Sequence, residues 1–252
     1  MENNWLEGRI SNDTSPVDLA QDIPTYSEEQ VRDIQTSFMN KTYTWMGVGI
    51  LLTGLLASYL GTNEAFLQLV FSNRLGFIAI MLLQLGITFF ITSRISTMSY
   101  STSVASFIAY TVLTGIFFSP ICFIYSSDSL LTTFGVTAGT FFAMSVIGYT
   151  TKYDMSGMRG LFFGAIIGVF IALLVNMFLQ SELFDYIISF IGVFLFMGLT
   201  AYDTQKLKAM AVEVNHEEGN IKNNAPILGA FTLYLDFINL FLFLLRFFGN
   251  RK

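Results

Sequence analysis

Charge is scarce in this sequence. Of its 252 residues, 12% are Asp, Glu, Lys or Arg, against about 25% in a typical soluble domain. There is a single cysteine, Cys122, inside an apolar run, so an internal disulfide is excluded and the redox compartment stays open. The single histidine, His216, lies in a polar stretch, which argues against a Cys–His catalytic pair or an intramembrane Ser–His pair. No basic stripe is present, which excludes nucleic acid as a partner. The first residues are acidic and have no early apolar core, unlike a signal peptide. No EF-hand loop, Walker loop, HExxH or GxSxG occurs.

Apolar residues, by contrast, make up 53% of the chain; Phe alone occurs 27 times, and the mean hydropathy is +0.59. This is the composition of an all-α integral membrane protein embedded in a lipid bilayer. Seven apolar runs, near 43–60, 75–95, 104–125, 130–150, 160–179, 184–206 and 227–248, are each long enough to cross a core of about 30 Å at 1.5 Å per residue. Backbone groups in lipid must be satisfied within the segment, so runs of this length are helices. Most connections are short, but residues 207–226 read as a long polar loop. Gly135 and Gly139, like Gly164 and Gly168, have the spacing that lets helix backbones approach closely. Ser119-Pro120 should bend the third span, because proline removes a backbone donor.

The charge that is present is unevenly placed. Residues 1–40 hold eight acids and two bases, a net of −6, and the other 212 residues carry +1. Two domains are expected: a polar acidic cytoplasmic arm over 1–41 and a seven-helix transmembrane domain over 42–252. Within the arm, Thr25 or Ser27 can cap an amphipathic helix, with Glu28 and Glu29 in its first turn. Val31, Ile34 and Phe38 share one face, which would lie on the membrane surface or on the cytoplasmic ends of the bundle. With seven crossings, nine of the 13 Lys and Arg residues fall on the side of the arm. That places the N-terminus in the cytoplasm and the C-terminus outside.

Two acids stand out against this background. Asp203, in MGLTAYDTQKLK, is near the end of the sixth run, and Asp236, in LYLDFINLFLFLLRFF, is in the middle of the seventh. A charge deep in a spanning helix costs on the order of 3 kcal/mol or more, and such groups usually face the bundle interior with a partner. Arg94 closes the second run, and all three groups fall in the cytoplasmic half, where a cluster is possible. Two carboxylates in a low-dielectric site cannot both ionise freely and titrate as a unit. Asn239 follows Asp236 by one turn and can bond the carboxylate or help bind an ion. Carboxylate and amide oxygens suit a hard cation such as calcium, with Asp203 and Asp236 as ligands and water completing the shell. A proton pathway needs fewer ligands still. Asp203 has a plainer alternative as a headgroup-level helix end beside Lys206 and Lys208. A di-aspartyl intramembrane protease also uses two such acids, but its glycine-rich motif is absent where this chain reads YLDFIN.

The segments GLTAYDTQKLK, LYLDFINLFLFLLRFFGNRK and ITSRIS resemble the Bax-inhibitor family (transmembrane Bax inhibitor motif, TMBIM) in its bacterial, YccA-like branch, over about 43–252. The resemblance implies six helices around a central seventh in a bacterial inner membrane. It also implies a pH-dependent calcium leak sensed by paired aspartates with a nearby arginine, matching Asp203, Asp236 and Arg94. It implies no enzyme activity and no cofactor, calcium being cargo. Related sequences often have a glutamate in an ELG context ten residues before the arginine. Here Gln84, in QLG, stands there and removes a charge that would attract cations. Two other readings stay open: a non-conducting regulator that binds other membrane proteins or a protease, and a proton-coupled transporter.

Overall fold

The structure, a computed structural model, describes residues 26–71, 74–217 and 219–250. Its elements are helices: α1 (Glu28–Gly61), α2 (Glu64–Phe71), α3 (Arg74–Arg94), α4 (Tyr100–Ile124), α5 (Ser127–Thr150), α6 (Arg159–Leu179), α7 (Glu182–Asn215) and α8 (Asn220–Phe248), with one 3-10 turn at Ser156–Met158. Six of them, α1 and α4 to α8, are long and apolar enough to cross a membrane. The apolar part of α3, Ile78–Arg94, is shorter. The chain is thus an all-α protein of multiple membrane spans.

Serine starts four of these helices. Ser27, Ser99, Ser126 and Ser181 each accept a bond from a first-turn backbone N–H, and Ser27 forms a full capping box with Gln30. Gln180 ends α6 in the left-handed conformation, φ 50°. Its side of the turn is held by Asn176, whose Oδ1 accepts from Ser181 N at 3.1 Å.

The sequence expectations need correcting at the end of the bundle where α1 starts. Residues 28–42 do not form a separate surface helix; α1 runs unbroken across the expected 41/42 boundary. The face carrying Ile34 and Phe38 joins a buried cluster with Ala211 and Val214 of α7 and lines a pocket shared with Pro226 of α8. The expected loop 207–226 is mostly helix as well. Leu207, Ala211 and Val214 are buried at i, i+4, i+7 spacing, so α7 continues past the apolar run to Asn215. α8 begins at Asn220, and Pro226 is inside it. Residues 1–25, most of the acidic arm, lie outside the described residues.

α8 is the most enclosed span and packs on α1, α4, α5 and α7. Ile227, Ala230, Leu233, Tyr234 and Leu240 on it are fully buried. The glycine pairs do not act as expected. A Cβ at Gly135, Gly139, Gly164 or Gly168 would meet nothing within 4 Å. The close approach is instead at Gly148 of α5, where a Cβ would overlap the Ala201 carbonyl oxygen of α7. That contact sets α5 against α7 two residues from Asp203.

Candidate functional site

α7 and α8 are consecutive, antiparallel and closely packed. Asp236 is about 24 Å along α8 from Asn220, and Asp203 about 18 Å along α7 from Asn215, at 1.5 Å per residue. These similar depths set the two carboxyls beside each other in the core, where each acts on the other. An ionised carboxylate only accepts, so two neighbouring carboxyls can bond to each other only while one of them carries a proton. Asp236 is 5% exposed, and its Oδ2 has no hydrogen-bond partner among the described residues. Thr204, next to Asp203, is fully buried, and its hydroxyl has no partner among the described residues.

The charges around this pair differ from the expected cluster. Lys206, one turn beyond Asp203 on α7, is the cation that acts on it. Arg94 is exposed at the end of α3 and forms no ion pair among the described residues. The reason lies in packing: α3 rests mainly on α4 and α2, away from α7. Asn239 does not bond Asp236 either. Its amide donates to the Leu235 carbonyl of its own helix at 2.8 Å. Among the described residues, no three His, Cys, Asp or Glu side chains are grouped to hold a metal ion. Asp203 and Asp236 thus offer two carboxyl groups, and any cation there would need water or carbonyl oxygens to complete its shell.

Gln84 belongs to a second polar group on the opposite side of α8. Its amide donates to Thr114 Oγ1 at 3.2 Å. Tyr234 OH lies 2.7 Å from Thr53 Oγ1, and that hydroxyl also donates to the Thr111 carbonyl at 2.9 Å. Tyr110 stacks edge-on with Tyr234 and Phe231. Tyr234 and Asp236 are two positions apart and point to roughly opposite sides of the helix. The central helix therefore separates an acidic side, against α7, from a hydroxyl-rich side, against α1 and α4.

Asn224 was not singled out in the sequence. It is fully buried, its amide donates to the carbonyls of Ile95 and Met98 at 2.8 Å each, and its Oδ1 accepts from Ser103 at 3.0 Å. It ties the start of α8 to the turn that follows Arg94. The signal for it was a paired amide, NNAP, inside a stretch that looked like a solvated loop.

Residues 35–252 match the family described as Inhibitor of apoptosis-promoting Bax1. The chain belongs to this Bax1-inhibitor family. Inner membrane protein YbhL of Escherichia coli (strain K12) is 45% identical over 216 residues, covering 86% of this chain and 92% of YbhL. A protein of Deinococcus radiodurans is 42% identical over 226 residues, covering 90% and 95% of the two chains. One from Borreliella burgdorferi is 39% identical over 236 residues, covering 94% and 99%. The Bax1-inhibitor match begins inside α1 and takes in both aspartates, Arg94, Gln84 and Asn224.

Proposed function

We propose that this Bax1-inhibitor protein passes calcium down its gradient and that protonation of the Asp203–Asp236 pair sets the rate. The observation that carries the reading is a pair of carboxyls side by side in the packed core, Asp236 being 5% exposed with no hydrogen-bond partner for its Oδ2 among the described residues. A pair that holds one proton has two further states open to it. Loss of that proton places two negative charges side by side in a low-dielectric site and pushes α7 from α8; gain of a second removes all negative charge. Either change alters the α7–α8 contact and the pull on a cation.

In this reading α3 is the seventh span, and six helices surround α8. The N-terminus, with the acidic arm 1–41, is cytoplasmic and the C-terminus is outside. The membrane is a bacterial inner membrane, as the name of YbhL states for that relative. Placement in a YccA-like branch goes with this reading. Arg94, apart from the acids here, is the base that would approach a doubly ionised pair if α3 shifted. Gln84, neutral and bonded to Thr114, leaves the α3 side without a carboxylate, so cation attraction rests on Asp203 and Asp236. Asn239 lines the same helix face without contacting the pair.

The test is flux into liposomes that contain only this protein and a calcium-reporting dye, at several pH values. Asp203→Asn and Asp236→Asn should change the pH response in the same way. Unchanged flux in both variants would remove the sensor. Absence of flux at every pH would favour the second reading, a regulator that binds membrane proteins. The packed extension of α1, α7 and α8 beyond the apolar runs is the surface that would serve it.

A further inference from the structure

α1 and α5 both pack on α8 but hardly on each other. Between them runs a cleft of about 820 Å³, walled by Met46, Ile50, Ala138, Phe141 and Phe142 and floored by Phe237. A second apolar cavity of about 270 Å³ shares Ile50 and Phe237 and continues it toward Leu55 and Leu131. Among the described residues nothing fills the space over Gly47: a Cβ there would meet none of their atoms within 4 Å.

Polar groups gather at one end. Ser145 is 5% exposed and lines the cleft, and its hydroxyl has no hydrogen-bond partner among the described residues. A buried hydroxyl left unpaired costs about 1–3 kcal/mol, so a ligand oxygen or donor is favoured at that point. Asn40, Tyr43 and Arg32 follow toward the mouth, and Arg32 is the only charged residue among the described residues lining the cleft. The chemistry thus runs from a cation, through amide and hydroxyl groups, to a purely apolar floor.

We propose that this cleft binds a phospholipid with an anionic headgroup. The phosphate meets Arg32, the glycerol and ester region meets Asn40, Tyr43 and Ser145, and an acyl chain lies over Ile50, Phe141 and Phe237. The distances agree. Arg32 to Ile50 along α1 is about 27 Å, and one leaflet with its headgroups is roughly 20–22 Å deep, which the long Arg32 side chain and a tilted helix accommodate. Ser145 is about 7.5 Å from the α5 end at Thr150, the depth of the ester region.

The test uses the full chain in mild detergent, with phosphatidylglycerol and phosphatidylethanolamine as probes. Native mass spectrometry should show one retained phosphatidylglycerol. Gly47→Trp, which fills the cleft from an open position, should abolish retention, whereas Gly47→Ala should keep it. Arg32→Gln should reduce the preference for the anionic lipid about fivefold, the loss of one surface cation. In wild-type protein, a photoreactive phosphatidylglycerol should cross-link mainly to peptides carrying Met46 and Phe142. Adducts spread evenly over the lipid-facing sides of α6 and α7 would overturn the proposal, as would equal retention in Gly47→Trp. A dimer mass that vanishes in Gly47→Trp would place a second copy in the cleft and overturn it too. Cross-links from residues 1–25 into the cleft would do the same for that segment.

Discussion

Replacing Asn224 by alanine removes three bonds in one step: two amide N–H donations to Ile95 and Met98, and the acceptor for Ser103. Each such bond contributes about 0.5–1.5 kcal/mol net. Ser103 keeps a second acceptor, the Tyr100 carbonyl at 2.8 Å, which reduces its share of the loss. The two carbonyls sit at the turn after α3, and alanine leaves both without that donor. The expected cost is therefore about 2–3 kcal/mol. Asn224→Asp is the sharper companion, because it sets a carboxylate oxygen against two carbonyl oxygens. It should cost at least as much as alanine near neutral pH and recover on acidification, when the carboxyl can donate. Denaturant titration in mixed micelles, followed by circular dichroism, measures both. A freed turn should also leave Arg94 more mobile, which a spin label on Ser96 would report. Asn224→Ala with an unchanged midpoint and an unchanged label spectrum would refute the view that this amide pins α3 to α8.

Other substitutions separate close packing from empty space and local charge from core chemistry. Gly148→Val forces a side chain into the Ala201 carbonyl and should cost about 1–3 kcal/mol, whereas Gly164→Ala, with nothing nearby, should change thermal stability by less than about 0.5 kcal/mol. Tyr234→Phe removes the hydroxyl 2.7 Å from Thr53 while leaving Thr53 its bond to Thr111; a loss of about 0.5–1.5 kcal/mol is expected in the same titration. Asp154, in the connection between α5 and α6, accepts from the backbone N–H and the hydroxyl of Ser156, and these bonds hold its carboxyl below the usual carboxylate range. A lowered folded value means that its contribution to stability is present above the usual value of about 3.9 and is lost as pH falls through the folded value. Carboxyl NMR titration should find it depressed in the native chain and restored toward that value in Ser156→Ala.

The spanning helices were legible because length and apolarity set them, and the exposed faces of a membrane helix carry the same signal as its buried ones. Asp236 was legible for a related reason: an acid among Leu, Phe and Ile has few structural excuses. The end of the bundle where α7 meets α8 was harder to read. Glu213, His216, Glu217, Glu218 and Pro226 made residues 207–226 look like loop, yet Leu207, Ala211 and Val214 keep helical spacing and bury a stripe against α1. Asn224 was hidden because its one local mark, the paired amide in NNAP, fell in a stretch that looked like loop, and its three partners lie more than a hundred residues away. The glycines misled because spacing does not say which face a neighbour occupies, and Gly148, without a paired glycine, makes the contact that Gly135 and Gly139 do not. Arg94 lay at the expected depth but on a helix that rests on α4, a matter of bundle order that depth alone leaves open.

Infrared difference spectroscopy of the protein in lipid, scanned across pH, reads carboxyl protonation without relying on flux. A shared proton predicts one protonated-carboxyl band that broadens or shifts with pH and is altered by Asp203→Asn and by Asp236→Asn alike. Two independent bands, each removed by a single substitution with the other unmoved, would contradict it.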